Sequence, residues 1–120
     1  MKQGIVLFAH GSRDPEWTRP FEAIAASLAK KAPAVAVALG YLEHGPSLDE
    51  AVTALAAKGA VSIRVVPLFL GPGGHVKEDL PKLVARVAAE HPQQKLALDK
   101  IVGEQPPVIE AIAEAIATAR

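Results

Sequence analysis

At 120 residues, half of them apolar and only 4% aromatic, the chain has the size and composition of one domain, residues 1–120, built on an aliphatic core. Thirteen basic side chains balance thirteen acidic ones, so no overall field draws it to nucleic acid or to an anionic membrane surface. The absence of cysteine excludes disulfides, thiolate-ligated metals and thiolate nucleophiles, and any metal must be met by histidine and carboxylate.

The first apolar run, Ile5 to Ala9, reads as a buried strand and is too short for a signal-peptide core. It runs into Ala9-His10-Gly11-Ser12-Arg13-Asp14. Phe21, Ile24, Ala25 and Leu28 follow at helical spacing, and Pro20 is expected near the start of that helix, because a later proline would break it. A second strand, Val35 to Leu39, leads to Glu43 and His44.

Ser47 with Glu50 has the pattern of a capping box for a helix carrying Leu48, Ala51, Val52 and Leu55, and Gly59 stops it. Val61 to Leu70 is a third strand, ending in Gly71-Pro72-Gly73-Gly74-His75. The next helix carries Leu80, Leu83, Val84 and Val87 and closes before Pro92, with His91 expected to cap its last carbonyls. A weaker strand, Leu96 to Val102, precedes a last helix with Pro106 and Pro107 in its first turn and Val108, Ile109, Ile112 and Ile116 on one stripe.

Strand and helix alternate four times, which predicts an α/β fold with a doubly wound, parallel four-stranded sheet and helices on both faces. Each apolar stripe should cover that sheet. Charges interrupt every apolar run before membrane-spanning length, and the expected setting is cytoplasmic, without a membrane partner.

In such sheets ligands bind beyond the carboxyl ends of the strands, where strand order reverses. If the order is the flavodoxin-like 2-1-3-4, the loops after the first and third strands are neighbours, and His10 and His75 converge on one crevice. Glu43 stands just past the second strand. Two neutral imidazoles with a carboxylate suit a divalent first-row metal, and the same groups accept protons near neutral pH.

Arg13 and Lys77 flank the crevice and suit acidic substituents on a ligand, while Gly73 and Gly74 offer backbone that a flat ligand can approach. Each residue also has a plainer reading. His10 can be satisfied by backbone at a strand end, Glu43, Arg13 and Lys77 can be solvated, and glycine is routine in turns. The glycine-rich loop lacks both the Gly-Lys-Ser/Thr ending of a P-loop and dinucleotide spacing, so no nucleotide is expected.

Three segments, A-H-G-S-R-D-P, Y-L-E-H-G-P-S-L-D-E-A and V-P-L-F-L-G-P-G-G-H-V-K-E-D-L-P, in this order and spacing, resemble the short sirohydrochlorin chelatases of the small CbiX type. The resemblance implies ATP-independent insertion of cobalt, iron or nickel, as substrate, into a sirohydrochlorin-like tetrapyrrole by a homodimer. It makes His10 and His75 the metal-binding, proton-accepting pair and Glu43 their assisting carboxylate. His44 and Gly45 depart from the pattern after the glutamate. Two other readings start from the same residues. A metal-delivery protein would use the His pair without a tetrapyrrole cleft, and a histidine phosphatase would place an arginine where Ala9 stands.

Overall fold

β1 (Lys2–Ala9) is the spine of the fold, because six consecutive residues from Gly4 to Ala9 are buried and only a central strand is covered on both faces. The computed structural model describes residues 2–73 and 76–119. β1 is followed by α1 (Pro15–Lys31), β2 (Ala36–Tyr41), α2 (Leu48–Ala57), β3 (Ala60–Pro67), α3 (Val76–Glu90), β4 (Lys95–Leu98), a 3-10 turn (Val102–Glu104) and α4 (Pro106–Thr118). All pairings are parallel and the order is β2-β1-β3-β4, as the alternation predicts. The third run of apolar residues leaves the sheet at Pro67 and the fourth at Leu98, and Val102 enters the 3-10 turn.

Alternation along the strands separates two faces. Val6 and Phe8 of β1, Ala36 of β2 and Ile63 and Val65 of β3 join Leu48, Val52 and Leu55 of α2 and Leu80, Val84 and Val87 of α3 in one core. Each of the larger side chains buried there contributes about 1.5–3 kcal/mol. Ile5, Leu7, Val37 and Leu39 point the other way, toward the side covered by α1.

The helix ends follow their local chemistry. Asp14 caps α1 by accepting from the Glu16 amide at 2.9 Å, with Pro15 in the first turn. Ser47 and Glu50 form both hydrogen bonds of the capping box, and Gly59 follows α2 at φ 90°.

Two expectations need correction. Pro20 lies inside α1, and the helix continues through it. The proline removes the bond to the Glu16 carbonyl, but that face is exposed and water can take the carbonyl. His91 does not cap α3 with its ring: its Nε2 lies 2.7 Å from Asp49 Oδ1, tying the end of α3 to the first turn of α2. A carboxylate on the neighbouring helix is a stronger acceptor than the end carbonyls of α3.

α4 also departs from expectation. It packs chiefly against the 3-10 turn and none of its described residues is buried, so its apolar stripe does not cover the sheet of its own chain. Ile109, Ile112 and Ile116 are 48%, 40% and 71% exposed.

Candidate functional site

The ends of β1, β2 and β3 are held together beyond the strands themselves. The Leu42 and Glu43 amides donate to the carbonyls of Ala9 and His10 at 3.0 and 3.1 Å, so pairing continues from β1–β2 into both loops. On the other side the Leu68 amide donates to the Phe8 carbonyl at 2.8 Å. Strand order reverses between β1 and β3, which puts His10 at the crevice where open α/β sheets bind ligands.

Gly11 makes the close approach of the first two loops possible. Its φ is 96°, and a Cβ there would collide with the Glu43 carbonyl oxygen. Only glycine satisfies both conditions, and the consequence is that Glu43 stands beside His10. His10 Nε2 lies 3.2 Å from Glu43 Oε1, with both side chains more than half exposed.

His44 adds to this group from a left-handed conformation at φ 57°. Its Nε2 is 3.9 Å from the same Glu43 oxygen, and its Nδ1 accepts from Arg13 Nε at 3.4 Å. The residues after β1 and β2 thus form a connected polar set, Arg13–His44–Glu43–His10. Sequence reasoning gave His44 no role at the site. The signal that could have found it is its place between Glu43 and the turn glycine Gly45.

Much of each motif serves the fold. In A-H-G-S-R-D-P, Gly11 permits the loop contact, Ser12 accepts from the Asp14 amide, Asp14 caps α1 and Pro15 starts it. His10 and Arg13 remain for chemistry. In the second segment Ser47 and Glu50 cap α2, Asp49 holds His91, and the Tyr41 amide is taken by the Pro46 carbonyl. Glu43 and His44 remain.

The third loop is pinned at its base. The Gly103 amide donates to the Phe69 carbonyl at 3.0 Å, and a Cβ on Gly103 would collide with the backbone of Leu70. Gly73 lies exposed with open space around it, and Lys77 stands exposed in the first turn of α3. Gly74 and His75, both expected at the site, lie outside the described residues. Among the described residues no three histidine, aspartate or glutamate side chains gather as a metal site.

Below the polar set, Tyr41 closes β2 with its ring near Trp17, at 6.3 Å between centroids. Burial, with the Glu22 carboxylate as the lesser cause, pushes the Tyr41 phenol above its ordinary value. It is therefore a neutral wall of the site rather than a base near neutral pH.

The family model CbiX matches residues 4–119. A sirohydrochlorin cobaltochelatase of Methanococcoides burtonii is 34% identical over 99 residues, covering 82% of this chain and 75% of that protein. For other archaeal cobaltochelatases the matched stretch is 62–65% of their length. A crystal structure from Marinobacter aquaeolei VT8, described as a putative cobalamin biosynthesis CbiX protein, superposes with a TM-score of 0.83 at 33% identity over 98% of this chain and 93% of that one. The sirohydrochlorin chelatase SirB of Bacillus subtilis subspecies spizizenii in complex with cobalt superposes at 0.81 and 29% identity, covering 98% of this chain and 50% of that one.

Proposed function

The chain belongs to the CbiX family, and on that footing we propose that it inserts a divalent metal, cobalt first among cobalt, iron and nickel, into sirohydrochlorin without ATP. The observation that carries the reading is the His10 Nε2–Glu43 Oε1 contact of 3.2 Å at the carboxyl edge of the sheet. A base and a metal ligand are there held together, open to a large substrate.

His10 and His75 bind the ion as neutral imidazoles, leaving coordination positions free for the macrocycle. Two N–H protons leave the macrocycle as the metal–nitrogen bonds form. The metal–imidazole bonds break in the same transfer, and Glu43 and the imidazoles so freed receive the protons, which avoids free hydroxide. Glu43 also orients His10 by holding one ring nitrogen, as carboxylates do beside metal-binding histidines. Arg13, held through His44, and Lys77 meet the carboxylates of the substrate, and the backbone at Gly73 and Gly74 lies against its face.

A flat macrocycle is too broad for one wall, and the proposal includes a homodimer in the cytoplasm, without nucleic acid or membrane partners. Support for the second copy comes from α4, whose isoleucines are exposed, and from the part of the sheet over β3 and β4 that α1 leaves uncovered. Both are surfaces that a protein of this size ordinarily buries. No helix among the described residues is long and apolar enough to cross a membrane.

The test is an insertion assay with purified protein, sirohydrochlorin and each ion in turn, without ATP, read by the absorption change of the macrocycle. Rapid spectral conversion with cobalt is the expected result. Binding of cobalt with no conversion would overturn the reading in favour of metal delivery.

A further inference from the structure

A cleft of about 570 Å³ opens between the β2–α2 loop and the flank of α3. Its apolar wall is Leu42, Leu80 and Leu83, and its rim carries Asp79, Lys82 and Arg86. The volume falls in the range of small-molecule sites. Its position ties it to the polar set, because Leu42, which lines the cleft, directly precedes Glu43. Leu42 is 46% exposed, an apolar side chain left open beside a charged group.

Lys82 and Arg86 stand four residues apart on α3 and so project from one face, roughly 6 Å apart at their Cβ atoms. Both are exposed, and neither forms an ion pair or side-chain hydrogen bond with another described residue. The three charges of the rim sum to +1. A smaller recess of about 300 Å³ continues past Leu42, Leu83 and Arg86 toward Asp49 and Glu90. Glu90 repels an anionic group that travels beyond Arg86, and Asp49 is already held by His91. The arrangement favours a ligand with an apolar face and anionic arms of limited reach.

We propose that this cleft receives one edge of the macrocycle, with Lys82 and Arg86 binding its carboxylate arms and so selecting polycarboxylate tetrapyrroles over those with an uncharged rim. This rests on the tetrapyrrole reading above. Leu42, Leu80 and Leu83 take the apolar face, and the guanidinium of Arg86 offers a planar fork for a carboxylate.

The test compares wild type with Lys82→Ala, Arg86→Ala, the double variant and Arg86→Lys. Metal-free sirohydrochlorin is titrated by fluorescence, cobalt insertion is followed in parallel, and the methyl ester of the same macrocycle serves as the uncharged control. Each alanine variant should raise Kd and KM about tenfold, with kcat within about twofold. Arg86→Lys should recover part of the loss, and ester binding should not respond. Higher salt should weaken the wild type more than the double variant. An unchanged KM in a double variant whose wild type turns over overturns the cleft alone. A wild type that binds no sirohydrochlorin overturns the tetrapyrrole reading and the cleft with it.

Discussion

The Glu43 carboxylate reaches His10 Nε2 at 3.2 Å although the two residues come from loops after different strands. The contact is prepared by backbone, since the Glu43 amide already donates to the His10 carbonyl at 3.1 Å. Two hydrogen-bonding groups of each residue are therefore committed to the other.

For the proposed reaction, His10→Ala should lower insertion about a hundredfold, because ligand and proton acceptor are lost together. His75→Ala should act in the same direction. Glu43→Gln keeps shape and hydrogen bonding but loses charge, and about a tenfold loss is expected. Initial rates of cobalt insertion at saturating macrocycle decide this; a Glu43→Gln rate equal to wild type would leave Glu43 outside the mechanism.

Gly11→Ala should destabilise the fold by about 2 kcal/mol or more, since it adds left-handed strain to a collision with the Glu43 carbonyl. Urea denaturation measures the loss. A variant as stable as the wild type would mean that the loops separate without cost.

Stability should fall at alkaline pH through Tyr41. Its folded-state pKa is raised above the ordinary phenol value of 10.0, so the fold favours the protonated ring. The contribution is complete below pH 10.0 and is lost as pH rises through the folded value. Thermal melts between pH 8 and 11 should show this decline, and Tyr41→Phe should flatten part of it. Equal slopes in both proteins would remove Tyr41 as the cause.

Exchange of Ile112 and Ile116 for glutamate should leave the monomer's stability within about 1 kcal/mol, because both side chains are exposed in the single chain. It should halve the mass found by sedimentation. A wild type that sediments as a monomer with full activity would contradict the proposed homodimer.

The alternation of strand and helix and most helix ends were legible because they depend on local chemistry: apolar runs, the Ser47–Glu50 box, Pro106 and Pro107, and Gly59. Pro20 was misplaced because the rule against internal proline does not see that the freed carbonyl is exposed. His91 was misassigned because Asp49 is 42 residues away in sequence. Glu43 and His10 could be named as candidates, but their contact depends on Gly11, whose left-handed turn leaves no periodic signal. Lys82 and Arg86 look like any solvated pair until the fold puts an apolar cleft beside them. The exposure of α4 was likewise hidden, since its stripe is as regular as those that cover a core.

The placement of β1 bears on how the molecule breathes. With partners on both edges and side chains packed on both faces, its amides can exchange with solvent only when the whole domain opens. α4, with none of its described residues buried in the single chain, opens at lower cost than the core. His10 therefore follows a strand protected on both edges and both faces, while α4 is held by few buried contacts. α4 can open while the backbone that carries His10 keeps its shape.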